Sequence, residues 1–215
     1  ILPYALLMSS VFFLAALIEL YKLCLKLGFD GIYSLLITLI TMVSGRLLWS
    51  SLSGMEITLF CLLCILIFKN HLKEIASGKV SLFTALLLGI AANTRPETYL
   101  LAGIYYFTTI ILLRNHLREN IGRFILSLLI FIILLLPYPL FSYFHTGSFL
   151  PNTYEGQVGV MKFIPNFTFL VETGKIFVKD NLLILLLWFI SIGYFIYTVI
   201  KKKIDVKFLM INLWV

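Results

Sequence analysis

Apolar segments of roughly membrane-spanning length follow one another along almost the whole chain. A helix needs about 20 predominantly apolar residues to cross a bilayer, and five runs approach that length: residues 3–21, 32–49, 99–113, 124–144 and 182–200. Two shorter runs, 57–68 and 80–92, cross only if their polar flanks are helical too, and a last run begins at Phe208. The pattern predicts an all-α polytopic membrane protein with about seven spanning helices and a truncated eighth.

The composition excludes a soluble globular domain. Hydrophobic residues make up 61% of the chain and charged residues only 13%, well outside the usual range for soluble proteins. The net charge of +7 comes from short basic clusters between apolar runs, which is typical of cytoplasmic membrane loops. A nucleic-acid partner is therefore not expected, and the lipid bilayer is the expected environment.

The distribution of lysine and arginine predicts the orientation. Most of the 17 lysines and arginines fall in alternate loops, and the positive-inside rule assigns such loops to the cytoplasm. The residues assigned to the cytoplasm are Lys22, Lys26, Lys69, Lys73, Lys79, Arg114, Arg118, Arg123, Lys201, Lys202, Lys203 and Lys207. The opposite side receives Arg46, Arg95, Lys162, Lys175 and Lys179.

Three polar islands interrupt the apolar sequence: Ser53 to Glu56, Thr94 to Glu97, and Gly147 to Glu155. Ionisable residues beside spanning segments are costly unless they pair, reach water or bind a ligand, so such islands indicate a functional site. The predicted orientation places all three on the extracytoplasmic side. Polar backbone at that depth is tolerated where it lines a cavity, and we expect one shared cavity there.

The first two islands have a purely structural alternative. Ser53-x-x-Glu56 and Thr94-x-x-Glu97 both fit the capping box, in which a hydroxyl and a carboxylate satisfy the free amides at a helix start. Pro96 also agrees with a helix start. On this alternative, Glu56 and Glu97 only begin helices; on the functional one, they shape a binding site.

The arginines are harder to explain by capping. A cation at a helix N-terminus opposes the helix dipole unless it faces an anion, so Arg95 is expected to meet either Glu97 or a ligand phosphate, which guanidinium binds in a bidentate way. Arg46 poses the same question near the outer end of its apolar run. Its alternative role is to extend its charged end to the membrane interface.

The third island begins a long extracytoplasmic loop, residues 145–180, rich in glycine, proline and aromatic residues. Long ordered loops are usually functional or disordered. Asn152 and Thr153 are suited to bind sugar hydroxyls or phosphate oxygens, and Tyr154 to stack on a sugar ring. The simpler alternative is a Pro-Asn turn leading into an interfacial segment.

Taken together, the islands resemble a known family. The stretch Leu48-Trp49-Ser50-Ser51-Leu52-Ser53-Gly54-Met55-Glu56, then Asn93-Thr94-Arg95-Pro96-Glu97, then Gly147-Ser148-Phe149-Leu150-Pro151-Asn152-Thr153-Tyr154 resembles the polytopic bacterial GT-C glycosyltransferases. The subgroup it is most similar to contains the terminal β-(1→2) arabinofuranosyltransferase of mycobacterial cell walls. The combination of the three islands carries the resemblance.

The resemblance implies an enzyme of the bacterial plasma membrane. Such enzymes transfer a hexose or pentose from a polyprenyl-phosphate carrier to a glycan, lipid or protein acceptor of the cell envelope, on the extracytoplasmic face. Arg95, with Arg46, would hold the donor phosphate. Glu56, Glu97, Asn152, Thr153 and Tyr154 would shape the sugar and acceptor sites.

The resemblance also implies that residues 1–215 are part of one larger GT-C-like domain. Its N-terminal helices, first extracytoplasmic loop and C-terminal region would lie outside this chain. The catalytic base of the family is an acidic residue of that first loop, so we expect it upstream of Ile1. No cofactor or metal-ligand cluster is visible in the sequence, and a divalent metal would need ligands from the upstream loop. Related sequences follow the Pro-Asn-Thr motif with an aromatic residue and then a lysine near position 157, whereas this chain has Glu155 and Gln157, so one phosphate contact that the resemblance implies lacks its lysine.

Two other functions remain open from the sequence. A transporter or lipid flippase also places charges at cavity mouths, but it should carry ionisable groups near the middle of the membrane. In a non-catalytic membrane assembly subunit, both glutamates would only cap helices. The concentration of charges at the outer ends favours glycosyl transfer over transport.

Overall fold

The computed structural model describes residues 2–147, together with residues 171, 174, 175, 186, 189, 190, 192, 193 and 197. The regular structure of this part of the chain is entirely α-helical, which confirms the predicted all-α class. The helices of residues 2–147 are α1 (Leu2–Leu27), α2 (Gly31–Met42), α3 (Gly45–Leu52), α4 (Ile57–Ser77), α5 (Leu82–Thr94), α6 (Thr98–Leu112), α7 (Arg114–Leu135) and α8 (Pro137–Thr146).

Two of these helices are long and apolar enough to cross a membrane on their own. They are Pro3–Leu27, within α1, and Arg118–His145, in which α7 continues into α8. Both correspond to predicted spans, although α7 begins at Arg114, ten residues before the apolar run starts, because its polar first turns are helical as well. A membrane location therefore agrees with the described fold.

The two short predicted runs, 57–68 and 80–92, form helices of different length, α4 and α5. Helix α4 continues through its polar flank to Ser77 and has 21 residues, which gives it a length of about 32 Å. Helix α5 has only 13 residues. Helix α6, which corresponds to the predicted span 99–113, has 15. Both are shorter than the roughly 20 residues that a perpendicular crossing requires.

The predicted span 32–49 is not a single helix. It divides into α2 and α3, whose axes differ by 63°, with Val43 and Ser44 between them. Ser44 has an extended backbone (φ −60°, ψ 114°) and precedes Gly45, and Ser and Gly pairs are a usual cause of sharp helix bends. The two helices are either one broken span or a re-entrant segment.

Helices α4, α5, α6 and α7 share the main core. Its fully buried residues include Ile67 of α4, Leu88 of α5 and Tyr105 of α6. Helix α5 packs most extensively against α7, and its small residues at that contact include Gly89, where an added Cβ would overlap the Leu134 side chain. Small residues let membrane helices approach closely.

Two of the basic residues assigned to the cytoplasm, Lys22 and Lys69, meet in the structure. Glu19 forms ion pairs with Lys22 (2.9 Å) and with Lys69, which joins the ends of α1 and α4. Ser9, ten residues earlier, contacts Thr58 near the start of α4 at 3.1 Å. Helices α1 and α4 therefore run parallel, and their basic ends coincide.

Several predictions lie mainly outside the described residues. The loop 145–180 is described only at residues 145–147, 171, 174 and 175, and the span 182–200 only at six positions, all of them helical. The truncated eighth segment from Phe208 is outside the described part.

Candidate functional site

Arg95 occupies the break between α5 and α6. Helix α5 ends at Thr94, and Arg95 adopts an extended backbone (φ −147°, ψ 137°) before Pro96. Its Nη2 lies 3.2 Å from Oε1 of Glu97, and 29% of the Arg95 side chain is exposed. The guanidinium carbon lies 6.0 Å from the centroid of the Phe60 ring. Of the two anions expected for Arg95, Glu97 is therefore present in the structure.

Phe60 connects the first two islands. Its backbone amide bonds to the Glu56 carbonyl (3.0 Å), which places the ring one helical turn after the first island. Since the same ring lies against Arg95, the islands at Glu56 and at Arg95 share one end of the bundle.

Neither capping box is formed. Glu56 and Glu97 are themselves the N-cap residues of α4 and α6, and neither side chain makes a capping hydrogen bond. The Ser53 hydroxyl donates instead to the Ser50 carbonyl at 3.0 Å, and the Thr94 hydroxyl to the Ala91 carbonyl at 2.7 Å. Both hydroxyls belong to the ends of the preceding helices, so the Ser/Thr-x-x-Glu spacing does not produce a capping box here.

Hydrogen bonds from a hydroxyl of α1 to backbone carbonyls hold the first island against that helix. The Ser9 hydroxyl lies within hydrogen-bonding distance of the Ser50 carbonyl (3.1 Å) and the Met55 carbonyl (3.4 Å). Gly54 has φ +70°, and an added Cβ would lie 3.2 Å from that of Ala5. This close approach explains the glycine in the turn that precedes Glu56.

Of the other predicted site residues, Arg46 is described and lies exposed in the first turn of α3, which packs against α1 and α4. Asn152, Thr153 and Tyr154 lie outside the described residues. The arrangement at Arg95, Glu97 and Glu56 is therefore the part of the predicted site that the structure describes.

Sequence reasoning missed a second polar cluster, buried at the opposite end. Glu74 accepts hydrogen bonds from the Ser81 amide (2.9 Å), the Thr84 hydroxyl (2.6 Å) and the Tyr105 hydroxyl (3.1 Å). Its second oxygen lies 3.0 Å from Nδ1 of His71. The cluster thereby joins α4, α5 and α6.

His71 extends this cluster to a third position on α6. Its Nε2 lies 2.8 Å from the Thr108 hydroxyl, and the His71 and Glu74 side chains are almost completely buried. The sequence signal was the i, i+3 spacing of His71 and Glu74 on one helix face. The two residues lie in the polar flank of a short apolar run, and such a flank is equally typical of a solvent-exposed loop.

Neither a family model nor a curated protein nor a solved structure matches this chain. Within the described residues, no group of three or more His, Cys, Asp or Glu side chains is arranged to hold a metal ion.

Proposed function

We propose that this protein is a membrane glycosyltransferase of the GT-C type. In this proposal its helices form a multi-pass bundle of about seven spans in the bacterial plasma membrane, and its site faces the extracytoplasmic side. The donor is a sugar on a polyprenyl phosphate, and the acceptor is a glycan, lipid or protein of the cell envelope. The resemblance of the three islands to that family is the reason for this choice of substrates.

The observation that carries the proposal is the setting of Arg95. A partly exposed guanidinium lies at the mouth of two helices, between an aromatic ring and a carboxylate. Guanidinium has five N–H donors, and the Glu97 contact involves one of its terminal nitrogens. The other donors suit a phosphate in bidentate geometry, and the absence of a capping role for Glu97 leaves its carboxylate available to orient Arg95.

Arg95 would act on the leaving group. Transfer breaks the bond between the anomeric carbon and the carrier phosphate oxygen, and the acceptor hydroxyl oxygen forms the new bond as it loses its proton to a base. A fixed cation at the phosphate stabilises the charge that develops as the old bond breaks. The polyprenyl phosphate then leaves with the bonding electron pair.

Charge-removing variants test this role. We expect Arg95→Ala to lower sugar transfer by about 10²- to 10³-fold, the usual effect of losing one transition-state donor, with near-normal protein abundance. Glu97→Gln should also abolish most transfer. The assay follows labelled polyprenyl-phosphate pentoses and hexoses in native membranes, with Arg114→Ala as the matched control. Loss of folded protein as the only effect of both site variants would contradict the proposal and favour a structural role.

A transporter is the second candidate, because His71 and Glu74 form a buried ionisable pair between α4, α5 and α6, at the end of the bundle opposite Arg95. Buried ionisable groups in membrane helices often mark ion or substrate pathways. For a transferase, a folded His71→Gln variant should keep sugar transfer. Loss of solute uptake in proteoliposomes, with no transfer activity in the unmodified protein, would support transport instead.

A further inference from the structure

A basic cavity lies at the end of the bundle opposite Arg95. It has a volume of about 410 Å³ and lies between the end of α4, the start of α5 and the first half of α7. The polar residues that line it, besides Glu74, are Asn70, Lys73, Ser77, Lys79, Ser81 and Arg123. Three cations from three different parts of the chain thus share one cavity.

These cations have no acidic partner in the described part of the chain. Ion pairs there involve Lys22, Lys69, His71 and Arg95, but neither Lys73, Lys79 nor Arg123. Glu74 lines the same cavity, but its two oxygens already bond to Ser81, Thr84, Tyr105 and His71. Three cations and one carboxylate leave the cavity with a net positive charge, which an added anion would neutralise.

The framework of the cavity is held in place by hydrogen bonds. Glu74 fixes the amide of Ser81 at the start of α5, and Gly78, with φ +69°, ends α4 in a left-handed conformation. The Asn120 side chain donates to the Gly78 carbonyl at 3.0 Å. Asn120 lies three residues before Arg123, so this bond attaches the arginine-bearing part of α7 to the turn that carries Lys79. A site formed in advance loses little entropy on binding.

The predicted spans place the cavity at the level of the lipid headgroups. The apolar run of α4 ends at Phe68, before Lys73, and that of α7 begins at Phe124, directly after Arg123. In this predicted arrangement, the three cations lie where the hydrocarbon region of the bilayer gives way to its phosphate layer. Basic cavities between membrane helices at this level suit anionic headgroups.

We propose that this cavity binds a phosphate-bearing anion, and that its source is the headgroup of an anionic phospholipid of the surrounding bilayer. Arg123 is suited to bidentate contact with the phosphate, and Lys73 and Lys79 supply further positive charge. The hydroxyls of Ser77 and Ser81 complete the set of donors. The inference is independent of glycosyl transfer, since it concerns the other end of the molecule.

Native mass spectrometry of the detergent-purified protein tests the site. We expect one phosphatidylglycerol to bind in preference to phosphatidylcholine, and Lys73→Gln combined with Arg123→Gln to weaken that binding by about tenfold or more. The control, Arg114→Gln combined with Arg118→Gln, removes the same charge from the same end and should change binding by less than about twofold. Equal weakening in both variants, or no lipid preference, would overturn the proposal.

A competition arm distinguishes the sources of phosphate. If free glycerol phosphate displaces the lipid at equal concentration, the phosphate site is supported and the lipid source is wrong. If free glycerol phosphate does not displace the lipid, both the phosphate site and the lipid source are supported.

A measurement on the unmodified protein covers the case in which the variant fails to fold. Acetylation of Lys73 and Lys79 should be slower in phosphatidylglycerol nanodiscs than in phosphatidylcholine nanodiscs, relative to Lys22. Equal rates in the two lipids would refute the site.

Discussion

Glu74 illustrates how one residue can hold several helices together. A carboxylate buried among helices is costly unless its oxygens accept hydrogen bonds. The Glu74 oxygens accept hydrogen bonds from the Ser81 amide and from the hydroxyls of Thr84 and Tyr105. One of them also lies 3.0 Å from the imidazole of His71. The arrangement turns a costly group into a specific connection between α4, α5 and α6.

Glu74→Gln should destabilise the protein by about 1–3 kcal/mol, the cost of an unsatisfied buried polar group. The glutamine amide nitrogen is a donor, and at the position of the first carboxylate oxygen it would face the Ser81 amide and the Thr84 hydroxyl, which both donate there. Thermal unfolding in detergent measures the change. Glu119→Gln, at an exposed position of α7, is the matched control and should leave the midpoint almost unchanged. Equal midpoints for both variants would mean that the cluster contributes nothing to stability.

At the scale of elements, the contact between α5 and α7 depends on the absence of a side chain. Asn93 donates to the Leu134 carbonyl at 2.6 Å, one turn beyond the place where Gly89 receives the Leu134 side chain. Asn120, in the first turns of α7, bonds to Gly78 just before α5, so the two helices run parallel at close range. A short helix such as α5 depends on such packing, since a 13-residue helix is marginal by itself.

Gly89→Ala should destabilise this contact by about 1–3 kcal/mol because the added methyl group overlaps Leu134. Gly103→Ala is the control, since an added Cβ there meets nothing within 4 Å; it should be neutral or more stable by up to about 1 kcal/mol. Thermal unfolding compares the two variants. Adding Leu134→Ala to Gly89→Ala should restore part of the loss. A Gly89→Ala protein as stable as Gly103→Ala would show that the helices separate at no cost.

At the scale of the whole molecule, charge is divided between the two ends of the bundle. Lys22 and Lys69 meet at Glu19, and Lys73, Lys79 and Arg123 share a cavity. The described polar islands lie at the other end, where Arg95 approaches Phe60. This division of charge agrees with the alternation of basic and non-basic loops from which the orientation was predicted.

The orientation itself is tested by cysteine labelling. In a variant with Cys24, Cys61 and Cys64 replaced by alanine, Met55→Cys should react with an impermeant maleimide in intact spheroplasts, because the first island is predicted to face outward. Glu119→Cys should react only after permeabilisation. The reverse pattern would invert the orientation and place the Arg95 site in the cytoplasm.

Much of the fold could be predicted from local sequence. The helix α1 and the joined α7 and α8 follow from apolar length, and the meeting of Lys22 and Lys69 at one end of the bundle follows from their positions between apolar runs. Each of these properties is decided within one segment, because a bilayer acts on each stretch of chain by its own hydrophobicity. The ion pair between Arg95 and Glu97, one of the two partners predicted for Arg95, also follows from their place between two helices.

Tertiary structure decided everything that depends on which segments pack together. The position of Arg123 beside Lys79 at one cavity and the contact between Arg95 and Phe60 have no local signal that could predict them. The buried cluster is the clearest case, since His71 and Glu74 are neighbours in sequence but Tyr105 lies on another helix. A polar residue beside an apolar run suits a loop or a buried site equally well, and only the contacts made by the folded helices distinguish the two.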